Sequence, residues 1–69
     1  MRSTEGWIRY FRDALARAER ELADFDRAVA ERGLRIRHRT VEGERDVTAE
    51  QRESHVRRIE EYRAALRDE

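Results

Sequence analysis

Chemistry in this chain would have to come from few groups: His38, His55, Ser3, Ser54, and the carboxylates that stand near one another, Asp24 with Asp26 and Glu60 with Glu61. The chain has no cysteine and no lysine, which removes thiolate nucleophiles, thiolate metal sites, Schiff bases and phosphate-loop lysines. His55 has no histidine or acid three or four residues away, the spacing at which one turn of helix brings two ligands together. Ser54 adjoins His55 in sequence, but neighbours on a helix diverge by about 100° and cannot form a nucleophile–base pair. Asp24 and Asp26, two apart, and Glu60 and Glu61, one apart, likewise point to different sides of a helix and serve solubility. His38 has Arg37 and Arg39 beside it, a setting hostile to a metal ion. A chain this small also leaves little room for a ligand pocket. The expectation is a protein that is not an enzyme, with no catalytic residue, no metal, no cofactor and no small-molecule substrate.

Arginine dominates what remains. Charged residues make up 46% of the 69 positions and balance, 16 positive against 16 negative, every positive one an arginine. They are unevenly placed. Residues 1–31 hold six arginines and seven acids, 32–41 four arginines and no acid, and 42–69 six arginines and nine acids. Arg32, Arg35, Arg37 and Arg39 thus form a candidate charged contact patch. Such a patch can track phosphates, but balanced overall charge, the acids Glu42 and Glu44 just after it, and the lack of interleaved aromatics weigh against nucleic acid. A solvated strand face, or an acidic protein partner, fits better.

The elements that position these groups follow from periodicity. Ile8, Phe11, Leu15, Ala18, Leu22, Phe25 and Val29 are spaced alternately three and four apart, an unbroken heptad register. It predicts a helix over residues 4–32, about 42 Å long, capped by Ser3 or Thr4 and supported by the pairs Glu5–Arg9 and Asp13–Arg17. Gly33 then stands where a helix takes a left-handed terminal residue, with Leu34 placed for the accompanying contact. A second helix is predicted over 48–67, with Thr48 and Gln51 as a capping box and Val56, Ile59, Tyr62 and Leu66 as its core face, beside His55. Between them "LRIRHRTV" alternates with period two, and Gly43 supplies a tight turn. The prediction is a small β-hairpin, Leu34–Val41 and Glu44–Val47, with Leu34, Ile36 and His38 inward and Arg35, Arg37 and Arg39 in water. An irregular connection is the alternative.

The fold class expected is therefore mainly α: one small domain, residues 1–69, in which an antiparallel two-helix hairpin is joined by a short β-hairpin or loop. Seven stripe positions on the first helix meet only about four apolar residues on the second. A chain of this size has a marginal core, so the stripe predicts completion by a homo-oligomer or another protein. Trp7 reads as a lid on the bundle end, and Tyr10 and Tyr62 as edges of the core with wet hydroxyls. No apolar run exceeds three residues, which predicts neither a membrane span nor a cleaved signal, and a cytoplasmic setting.

The Gly33 helix end, the strand "LRIRHRTV", the turn "EGE" and the helix "VTAEQRESHVRRIEEYRAAL" together resemble the gpW-type head-tail joining proteins of tailed phages, over residues 11–66. The first helix is longer than in that pattern, the second strand shorter, and Arg52 stands where an apolar residue is usual. The resemblance implies a structural neck component that oligomerises as a ring, within a virion. Two other roles stay open: an inhibitor or antitoxin-like chain that lays its long helix in a partner's groove, and a nucleic-acid-binding hairpin that uses the arginine patch.

Overall fold

The structure, a computed structural model, describes residues 4–67. The order is helix α1 (Thr4–Arg32), strand β1 (Arg37–Thr40), strand β2 (Gly43–Asp46) and helix α2 (Thr48–Arg67). Both helices lie where the spacing places them, packed antiparallel as one layer, with the two strands as an antiparallel hairpin at one end. The predicted Ser3 or Thr4 cap and the Glu5–Arg9 pair lie outside the described residues and side chains. Asp13 and Arg17 form no ion pair.

α1 ends as its sequence dictates. Gly33 takes φ +68°, and the Leu34 N–H donates to the Ala28 carbonyl at 3.1 Å, one residue further back than the usual six-to-one closure. A Cβ at Gly33 would meet nothing within 4 Å, so glycine is required here for its backbone angle and not for space.

The hairpin is shorter than expected. Its register pairs Arg37 with Asp46, His38 with Arg45, Arg39 with Glu44 and Thr40 with Gly43, so strand pairing begins three residues after Leu34. The turn residues Val41 and Glu42 have no positive φ; Gly43 carries it, at +122°. The alternation predicted for the strand holds only at its approach, where Leu34 and Ile36 are partly buried and Arg35 is exposed. All eight strand residues are exposed, and Val41 at the tip is 103% exposed. His38 is therefore not inward. The ribbon has left the helices by the time it reaches residue 38, and no apolar surface remains for it to cover.

α2 starts where predicted, by a different device. Asp46, not Thr48, caps it: the Thr48 N–H donates to Asp46 Oδ1 at 2.9 Å, and the Thr48 hydroxyl donates to the same oxygen at 2.6 Å. Thr48 Oγ1 in turn accepts the Ile36 N–H at 2.9 Å, and the Ile36 carbonyl accepts the Val47 N–H at 2.8 Å. Thr48 is thus a buried peg between hairpin and helix rather than a cap. The Gln51 N–H makes the ordinary first-turn bond to the Val47 carbonyl. Those two Thr48 donors, followed by the Arg35 guanidinium, hold the Asp46 carboxyl well below the usual carboxylate range.

Candidate association surface

The heptad stripe divides into two rows once α2 is in place. The apolar residues most deeply buried on α1 are alanines: Ala14, Ala18 and Ala28. Small side chains let the helices approach closely, and α2 settles over this side of α1. Phe11 and Phe25 flank the alanines. Phe11 packs on Tyr62 with ring centroids 5.9 Å apart and Phe25 on His55 at 5.3 Å. From α2, Ile59 is buried into the seam, and Val56, Tyr62 and Leu66 are partly buried beside it.

Ile8, Leu15, Leu22 and Val29 form the other row. They recur every seven residues along the edge of α1 and remain partly exposed. Beside Leu22 lies a trough of about 390 Å³ lined also by Ala23, Val56 and Ile59, with Glu19, Asp26, Glu60 and Arg63 on its rim. Two helices make only two walls, and the third side is solvent. This volume falls within the range of small-ligand pockets, more room than the size of the chain suggested.

Three ion pairs cross between the helices. Arg52 donates twice to Asp26, at 2.8 and 3.1 Å; Arg63 reaches Glu19 at 2.9 Å and Arg58 reaches Glu21 at 3.6 Å. The Arg52 hydrogen bonds lower the Asp26 pKa and raise that of Arg52. Asp26 is thus more than a solubilising charge. Arg52, unusual on an apolar face, is turned outward to it. Exposed pairs of this kind add little stability each.

At the far end of the bundle Trp7 lies against Phe11 at 4.7 Å, and Tyr10 meets the same ring edge-on at 5.3 Å. This aromatic group joins residues that the sequence suggested only singly. Trp7 covers one side of Phe11 and stays 42% exposed.

The arginine patch is neutralised within the ribbon. Arg35 pairs with Asp46 at 2.8 Å, Arg39 with Glu44 at 3.3 Å and Arg37 with Glu44 at 3.9 Å. Only Arg32 of the four has no ion-pair partner among the described residues. A second strand that folds back on the first brings acids onto basic neighbours, so a field expected from sequence windows is largely cancelled.

The groups that could do chemistry are dispersed. Ser54 Oγ donates to the Glu50 carbonyl at 3.2 Å. His55 lies on the core edge of α2, where its Nδ1 is buried without a hydrogen-bond partner and its ring is tilted against that of Phe25, 5.3 Å away. Among the described residues no cluster of three or more His, Asp or Glu side chains could hold a metal ion, and no helix is long and apolar enough to cross a membrane. Comparison with protein-family models, curated proteins and solved structures finds no match to this chain.

Proposed function

We propose that this chain is a non-enzymatic association module, whose long helix offers its Ile8–Leu15–Leu22–Val29 edge to a second copy or to another protein. The observation that carries this reading is the aliphatic row itself, which the second helix leaves only partly buried. Four branched side chains recur every seven residues along one line, each partly exposed, and at Leu22 the line borders an open trough whose other wall is Val56 and Ile59 of the second helix. Burial of that row supplies the driving force, about 25 cal/mol per Å² before the costs of association. The acids and arginines on the rim would set orientation more than affinity.

The helix–hairpin–helix order also supports a structural role of the head-tail joining kind, in a virion, as the finer form of the same reading. Nucleic-acid binding is disfavoured by the internal pairing of Arg35, Arg37 and Arg39. The test is solution mass by light scattering over a concentration series at low and high salt, with thermal unfolding on the same samples. A dimer or ring that persists in salt supports the reading. A loosely folded monomer points to a different protein as the covering partner. A monomer that unfolds with high cooperativity at micromolar concentration overturns it.

A further inference from the structure

We propose that the α1 edge is covered by a second copy of this chain, laid antiparallel with the two-fold axis at Glu19. This rests on the association reading above and names its partner and geometry.

The edge reads as a palindrome of sizes and charges. Three residues either side of Glu19 stand Ala16 and Leu22; four residues either side, Leu15 and Ala23; seven, Arg12 and Asp26; eleven, Ile8 and Ala30. Steps of three, four, seven and eleven keep every one of these residues on one side of a helix. An antiparallel copy superimposes each member on its counterpart. Leu22, Leu15 and Ile8 then enter the spaces over Ala16, Ala23 and Ala30 of the other copy, large against small, as close packing between helices requires. All three alanines are exposed, and the three larger residues partly so.

Charge selects the same arrangement. Arg9 and Arg12 lie beside Ile8 with Asp13, the two arginines without an ion-pair partner among the described residues, whereas the trough further along carries Glu19, Asp26 and Glu60 against Arg63 and the Arg52 bound to Asp26. Antiparallel docking brings the basic end of each copy to the acidic trough of the other, twice. A parallel pairing would set Arg12 on Arg12 and trough on trough. Glu19, which meets its own copy at the axis, arrives with Arg63 bound at 2.9 Å.

The surface available is enough. The chain exposes 5706 Å², where a compact monomer of its mass exposes about 4,600 Å², and its radius of gyration is 16.0 Å against about 11 Å for a compact chain of its length. The excess, roughly 1,100 Å² over the whole elongated chain, is of the order of the ~800 Å² that each partner gives to a standard interface.

The absence of native cysteine makes single-cysteine variants unambiguous. Glu19→Cys is expected to cross-link to itself with a short bismaleimide. Ala30→Cys is not, because its copies would lie about 33 Å apart along the helices, but it should cross-link in a mixture with Ile8→Cys. Ala23→Glu, at a position exposed in the protomer and among the trough acids Glu19, Asp26 and Glu60, should weaken association at least about tenfold by burying an unpaired charge while helical circular dichroism is retained. Self-cross-linking of Ala30→Cys as strong as that of Glu19→Cys would mean a parallel pair and overturn the proposal. Association by light scattering without cross-linking at position 19 would overturn this geometry and leave the association reading standing. A cooperatively folded monomer would sink both, and a loosely folded monomer the proposal alone.

Discussion

Replacing Ile59 with alanine tests where the stability of the protomer resides. Ile59 is 5% exposed and is the largest apolar side chain so deeply buried among the described residues; apart from Val47 at the hairpin base, the others are alanines. The change removes three carbons, about 2.4 kcal/mol at ~0.8 kcal/mol for each. It also leaves a cavity against Leu22 and Val56 that only partly collapses, for a total of about 3 kcal/mol. A chain of this length has roughly 3–10 kcal/mol in all. The midpoint of thermal unfolding, followed by circular dichroism at 222 nm, should therefore fall by roughly 12–24 °C, and at the lower end of stability the variant would be unfolded at 25 °C. Leu22→Ala is the internal control. It is partly exposed, so its loss should be smaller and should depend on protein concentration if the edge is an interface. A loss below about 1 kcal/mol for Ile59→Ala would refute the placement of the core on the α1–α2 seam.

Asp46→Ala should lower stability at neutral pH and flatten the acid limb of the profile. Because the folded-state pKa of Asp46 is depressed, its contribution is complete above the unfolded value of 3.8 and is lost as pH falls below it, which urea unfolding between pH 2 and 7 would register; the acid loss that remains belongs to Asp26, lowered by Arg52. Gly33→Ala, at φ +68°, should cost about 1 kcal/mol through backbone strain alone, seen as a shift in urea midpoint without change in slope. Leu22→Asp should abolish association and weaken folding, since it sets an unpaired charge beside Glu19 and Asp26; a fully helical variant that still associates would count against the edge. Simultaneous Arg35→Ala, Arg37→Ala and Arg39→Ala should leave the solution mass unchanged, because their partners lie within the ribbon.

The helices were legible because a heptad run and a terminal glycine are local signals. Which part of the stripe faces α2 was not. A heptad weights both of its apolar rows alike, whereas a two-helix layer has one partner and must leave a row uncovered. The buried row is the one that lets the backbones approach, marked by Ala14, Ala18 and Ala28, and alanine carries little weight in a pattern of large apolar residues. Ala14 and Ala28 stand outside the heptad altogether. Similarly, the start of α2 was legible but its cap was not: Asp46 and Thr48 are both capping types, and the choice fell to Asp46 because Thr48 is drawn inward by the Ile36 N–H. The internal pairing of the arginine patch was not legible for a related reason. Counting charge in consecutive windows separates Arg35, Arg37 and Arg39 from Glu44 and Asp46, and the hairpin register lays those windows on each other.

The interhelix charges explain why one register is populated. A stripe that repeats every seven residues is nearly indifferent to a slip of one heptad, since each apolar position is replaced by another. The ion pairs are not indifferent. All three acids come from one short span of α1, Glu19 to Asp26, and all three arginines from α2, where 63, 58 and 52 descend as 19, 21 and 26 rise. A slip toward the start of α1 would keep one attraction, moving Arg52 onto Glu19, but would set Arg58 opposite Ala14 and Arg63 opposite Arg12. A slip the other way would move Arg63 onto Asp26 but carry Arg58 to Ala28 and Arg52 to the end of the helix at Gly33, so either slip keeps one pair of the three. Each pair is exposed and adds little to stability, yet together they break a degeneracy that the apolar residues leave, so that the hairpin at one end can close with Thr48 seated against Ile36.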